Sequence, residues 1–163
     1  MRRPMMKRIW GSGLFLAIVL GFAAQAQTTT IWLHGSDGLR QANEALRTGR
    51  VETAIRHAER VRTSSRAQRT ATEIRLYQAA EALLCVGHRL AGRAALALAH
   101  CDTAIALAPG DWRGYVNRGA AAFDLGRLAA ARRDFERARD LAPGEPAIEA
   151  NLALLHRRLA AEQ

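Results

Sequence analysis

The tetrapeptide Leu107-Ala108-Pro109-Gly110 returns 34 residues later as Leu141-Ala142-Pro143-Gly144. Ala91-Gly92 maps onto Leu125-Gly126 with the same offset, as do Ala97 onto Ala131 and Ala104 onto Ala138. An offset of this length marks stacked copies of one supersecondary unit, none of which can bury its apolar face alone. Composition says what the unit is made of. Apolar residues make up 49% of the 163-residue chain but aromatics only 6%, so Ala and Leu supply the bulk and Arg the charge. These residues have high helix propensity. β-branched residues are sparse, which argues against strands. Each copy is therefore expected to be a pair of helices, reversed at a Gly and ended at a Pro.

This spacing and pattern resemble the tetratricopeptide repeat. In that family a small residue at position 8 of the first helix meets Ala at position 20 of the second. A bulky residue sits at 24, Ala at 27 and Pro at 32. In the copy from Trp112 to Glu145 these are Gly119, Ala131, Phe135, Ala138 and Pro143, with Tyr115 at position 4 and Gly126 at 15. Arg118 departs from the Leu usual at position 7. The copy from Gln78 to Asp111 has Cys85, Ala97, Cys101, Ala104 and Pro109, with Glu81 replacing the aromatic at position 4. A first copy from Gly35 keeps Ala42, Gly49, Ala54 and Ala58, but has Val61 at position 27 and no Pro.

The resemblance implies an all-α solenoid of about three helical hairpins with a C-terminal capping helix. Repeats are expected near 35–66, 67–111 and 112–145. The first and second copies are separated by about nine more residues than the family period allows. Ala67–Leu90 is read as a lengthened first helix and Arg62–Arg66 as the turn before it. Pro146 is expected to open the last helix, over 146–161, since Pro suits the first helical position.

Residues 1–26 form a separate unit in the sequence. Arg2, Arg3, Lys7 and Arg8 precede an apolar run from Ile9 to Ala24, and Ala24-Gln25-Ala26 follows. This is the order of a secretory signal peptide, with cleavage expected after Ala26. Residues 27–34 are then an N-terminal extension, and the bacterial periplasm or secretion is the expected destination. An uncleaved inner-membrane anchor is the alternative, although the run is short for a bilayer span. The formal charge of +9, less those four cations, leaves +5 on the processed chain, all of it from arginine. Arginine charge suits acidic peptides, nucleic acid or anionic surfaces. Export and the scarcity of Trp and Tyr for base stacking argue against nucleic acid.

No H-E-x-x-H, C-x-x-C or phosphate-loop motif is present, and no enzyme activity or cofactor is expected. Gly35-Ser36-Asp37-Gly38 reads as a helix start with Ser36 or Asp37 as the cap. Cys85, His88, His100 and Cys101 form the one cluster with metal-ligating chemistry. Antiparallel pairing sets Cys85 against Ala97 and leaves Cys101 about one turn away, so a four-ligand site is not expected. For the same two cysteines a disulfide is favoured by an oxidising compartment and opposed by that offset. The alternative is a pair of buried thiols.

Ligands of tetratricopeptide proteins lie in the concave groove lined by the first helices. The resemblance places Arg40, Asn43, Arg47, Arg89, Arg113, Asn117 and Phe123 there. Guanidinium groups suit carboxylates. Members that clamp a peptide C-terminus carry an Asn where this chain has Leu83, so the clamp is incomplete. The implied function is a non-enzymatic scaffold or adaptor for a protein or peptide partner with acidic groups. A self-associating envelope component, or an enzyme accessory with a Cys/His metal site, are the alternatives.

Overall fold

The computed structural model describes residues 37–162. The expected signal peptide, the extension and the Gly35-Ser36 start lie outside them. Within the described residues the chain is a run of antiparallel helices: α1 (37–47), α2 (Val51–Ser64), α3 (Ala71–Leu90), α4 (Ala94–Leu107), α5 (Trp112–Asp124), α6 (Leu128–Leu141) and α7 (Pro146–Ala160). Paired in order, α3–α4 and α5–α6 form hairpins and α7 packs on α6, while α1 lies on α2 through Ala42 against Ile55 and Ala58 and Gly38 against Val61, giving a third hairpin. This is an all-α tetratricopeptide-type solenoid with a capping helix. None of the described helices is long and apolar enough to cross a membrane.

Local chemistry sets the helix ends. Gly92 and Gly126 have φ of +74° and +70°, a region where a Cβ is penalised. Each follows the end of a first helix and closes the same pair of bonds. After α3, Gly92 N–H donates to Arg89 O (3.0 Å) and Arg93 N–H to His88 O (2.8 Å). After α5, Gly126 N–H donates to Phe123 O and Arg127 N–H to Ala122 O, both at 2.9 Å. The last carbonyls of both helices are thereby satisfied, and the chain is turned into the second helix. The second helices end differently. Ala108 and Ala142 share a φ of −143° and ψ of 72° and 76°, because the ring of the following Pro excludes the α conformation.

Two sequence expectations need correction between the first and second repeats. The turn expected over 62–66 begins later, since α2 continues to Ser64 and the turn occupies 65–67. The next helix starts at Ala71, not Ala67. Thr70 accepts from Glu73 N–H (3.1 Å) while the Glu73 carboxylate accepts from Thr70 N–H (3.1 Å). This reciprocal capping box fixes the start of α3.

The core is thin and made largely of alanine. Ala42, Ala54, Ala97 and Ala131 are at most 2% exposed, which lets paired helices approach closely. Larger side chains gather at the C-terminal end, where Phe135, Ile148, Leu152 and Leu155 are buried together.

The family's apolar position 7 is Arg118, and its neighbours account for it. Its guanidinium donates to both Asp134 oxygens (2.7 and 2.9 Å) and to Asp102 (2.8 Å). It thus ties α5 to α6 and α4. Hydrogen bonding to Asp134, assisted by Asp102 and opposed by burial, holds its pKa well above the ordinary arginine value. Arg118→Leu restores the consensus residue but strands an Asp134 carboxylate that is 8% exposed. A loss of about 2 kcal/mol is expected in urea unfolding. Adding Asp134→Ala should recover most of it, because removing both partners is nearly neutral. If the double variant is no more stable than Arg118→Leu alone, the pairing is not what holds the residue there.

Candidate functional site: the concave groove

The first helices α1, α3 and α5 line a cavity of about 440 Å³. Its floor is aliphatic, with Leu39 and Leu46 from α1 and Ala82, Leu83 and Val86 from α3. These residues share a face because α3 repeats every 3.6 residues. Polar groups come from three places. Asn43 stands on α1, where its amide donates to Leu39 O (3.2 Å). Gln78 lies nearer the start of α3. Asp111, Arg113 and Asn117 lie at or near the start of α5. Asp111 caps α5 by accepting from Arg113 N–H (3.0 Å). The Arg113 guanidinium lies over the Trp112 ring (4.8 Å) and 3.5 Å from the Asp111 carboxylate. The groove thus carries one cation and one anion side by side on an apolar floor.

Of the residues singled out from the sequence, Asn43, Arg113 and Asn117 line this cavity. The others do not. Arg40 pairs with Asp37, and Arg47 with Glu44 (3.4 Å), each within the exposed side of α1. Arg89 reaches into the next repeat and binds Asp124 (3.1 Å). Phe123 turns towards the core and packs against the cluster of α6 and α7. The groove is therefore less basic than the sequence suggested. Asp111 and Gln78 were overlooked. Asp111 was readable as a helix cap beside a groove position, while Gln78 opens the family period, outside the positions that line the family's groove.

A second polar cluster lies on the other side of α3. Glu81, 2% exposed, stands where the family has an aromatic. Its carboxylate binds His100 Nδ1 on α4 at 2.6 Å. Burial alone would raise the Glu81 pKa. The His100 and Tyr77 hydrogen bonds and the nearby Arg62 outweigh burial and hold it below the usual carboxylate range. The His88 ring stacks on His100 (centroids 5.1 Å, planes 9° apart). Desolvation, then the charges of His100 and Arg93, lower the His88 pKa, with Glu59 and Glu52 opposing. Beside this cluster Cys85 and Cys101 form a disulfide with Cα atoms 5.1 Å apart. The expected one-turn offset is absent. The stagger of α3 and α4 sets Cys101 alongside Cys85, both 0% exposed, within the span a disulfide needs.

Residues 112–145 match the sequence pattern described as the tetratricopeptide repeat. No curated protein matches the chain in sequence. Among solved structures, the first tetratricopeptide domain of human RPAP3 is 21% identical. The match covers 79% of this chain and 94% of that one, with a TM-score of 0.68. The first such domain of Spaghetti (RPAP3), solved with the HSP90 peptide SRMEEVD, gives 21%, 77%, 93% and 0.66. The second domain of human RPAP3, in complex with the HSP70 peptide SGPTIEEVD, gives 21%, 77%, 98% and 0.63. The 34-residue period, the three hairpins around a common groove and these matches together show that the chain has the fold of tetratricopeptide domains, with residues 112–145 matching the repeat itself.

Proposed function

We propose that this chain is a non-enzymatic scaffold that holds a protein or peptide segment along the groove of α1, α3 and α5. The observation that carries the reading is the groove itself: an aliphatic floor flanked by the amides of Asn43 and Asn117 and by Arg113. Apolar side chains of an extended peptide would fill the floor, and the amides would pair with its backbone. Two similar domains were solved with peptides containing two Glu and a final Asp, which supports a peptide as occupant. Asp111 beside Arg113 favours a ligand of mixed charge over a strongly acidic one. Leu83 replaces the amide of a C-terminal clamp, so recognition would rest on internal side chains. Amidating a bound peptide's C-terminus is then expected to change Kd by less than about threefold.

We place the scaffold in the bacterial periplasm, reached through the signal peptide expected at residues 1–26. The Cys85–Cys101 disulfide supports an oxidising compartment. The test is cross-linking of the C-terminally tagged protein in its native envelope, beside a variant carrying Asn43→Ala, Arg113→Ala and Asn117→Ala. All three side chains lie at the surface of the groove, so the fold should persist. The partner captured by the parent should bind the triple variant at least about tenfold more weakly, as expected for losing several hydrogen bonds. Capture unaffected by the three changes would remove the groove as the site. Cross-links between copies alone would sink the scaffold reading.

A further inference from the structure

The geometry points to a Zn²⁺ site formed by Glu59 of α2, His88 of α3 and His100 of α4, outside the groove. One donor atom from each residue lies within 4.8 Å of the other two. The set of two imidazoles and one carboxylate suits borderline divalent cations, Zn²⁺ above all.

Three further features support an ion. The first is His88, which is 7% exposed and whose Nδ1 is buried with no hydrogen-bond partner. Unpaired buried polar atoms are rare and call for an explanation such as an ion. The second is Glu81. Its buried carboxylate accepts from His100 Nδ1–H at 2.6 Å, which leaves Nε2 as the nitrogen that can face an ion. A carboxylate behind a ligating imidazole is the usual outer support of zinc sites. The third is access. The side chains of Glu59 and His100 are 36% and 15% exposed, so an ion can enter and water can complete its coordination.

Zinc–nitrogen and zinc–oxygen bonds of about 2.0–2.1 Å put tetrahedral donors roughly 3.4 Å apart. The three residues must therefore draw in by about 1 Å. The stacked rings must also splay so that both lone pairs meet at one point. The imidazoles can turn about their side-chain torsions, which is the motion the site would use. Glu59 must in addition share its carboxylate with Arg62, which now binds it at 2.7 Å. The disulfide keeps Cys85 and Cys101 out of the coordination, so this is not the Cys/His set set aside in the sequence. Glu59 joins the site only through the packing of α2 on α3.

His88 lies about half a turn round α3 from the groove residues Ala82, Leu83 and Val86, by the helical period. An ion here would clamp three helices from the side opposite the peptide. Its presence can therefore be tested without knowing the partner.

The untagged full chain, disulfide intact, would be stripped with chelator and titrated with Zn²⁺ by equilibrium dialysis with metal analysis. One saturable Zn²⁺ per chain is expected, together with a rise in Tm that saturates at the same ratio. Glu59→Gln, a change at a half-exposed position, should weaken binding at least about tenfold. Glu81→Gln should weaken it about 10- to 100-fold, the usual loss for an outer-shell partner. His88→Gln should abolish it, with circular dichroism confirming the fold. Absence of saturable uptake by the parent overturns the proposal. So does uptake unchanged by Glu59→Gln, or uptake that persists in folded His88→Gln, which would point to other histidines.

Discussion

Phe135→Ala is expected to destabilise the protein by about 3–5 kcal/mol, the range for emptying a buried aromatic site. Phe135 is 1% exposed and packs with Ile148, Leu152 and Leu155 where α6 meets the capping helix. It also fills the space left by a missing side chain. A Cβ built on Gly119 of α5 would lie 2.6 and 2.8 Å from two Phe135 ring carbons and 3.2 Å from Asp134 Cβ. Ring and glycine are therefore one interlocking pair, and the pair sets the distance between α5 and α6. The effect of Gly119→Ala should then depend on the ring. In the parent, Gly119→Ala should destabilise, because the confined ring cannot retreat. In the Phe135→Ala background the ring clash is gone and only the 3.2 Å contact with Asp134 Cβ remains, so the higher helix propensity of Ala, worth up to about 1 kcal/mol, should turn the same substitution from costly to neutral or stabilising. Urea unfolding of the four proteins measures this coupling directly. Equal effects of Gly119→Ala in both backgrounds would show that the ring does not depend on the glycine.

What could be read from the sequence follows the range of the interactions involved. Pro109 and Pro143 end helices through their own rings, and Gly92 and Gly126 turn the chain through their own backbone. These effects span a few residues and repeat every 34, so the hairpins and the fold class were legible. Thr70 and Glu73 were equally local, and the start of α3 could have been found from that capping pair. Pairings between helices were not legible. Arg118 appears as a defect in the repeat until Asp134 and Asp102 are placed beside it. Glu81 appears as a lost aromatic until His100 is. His100 and Asp134 are themselves 34 residues apart, so both consensus departures are answered from the same position of the second helix. The groove divides along the same line. Its aliphatic floor follows from helical spacing, whereas the charge of Arg89 is spent on Asp124 in the next repeat. A 34-residue period assigns residues to faces, but it does not give the axial stagger of two packed helices. That stagger decides whether Cys85 reaches Cys101.

Removing the disulfide with Cys85→Ala and Cys101→Ala together should cost about 3 kcal/mol. The bond joins residues 16 apart in sequence, and closing a loop of that size restricts the unfolded chain by about this amount. For a helical domain of this length the loss corresponds to a fall in Tm of roughly 10 °C. The folded state should change little. Position 8 is occupied by Ala42 in the first repeat and Gly119 in the third, and position 24 by Ala58 in the first. Alanines at 85 and 101 therefore match what the fold already accepts at the equivalent sites. Some of the loss will come from the cavity left by two sulfurs. The chemically reduced parent separates the two causes, since it keeps the sulfur volume and loses only the cross-link. If constraint of the unfolded chain dominates, reduced parent and double variant should melt within a few degrees of each other and both well below the oxidised protein. A reduced parent as stable as the oxidised one would mean that the helix pairing of α3 and α4 is held by packing alone, with the bond recording their proximity without adding to it.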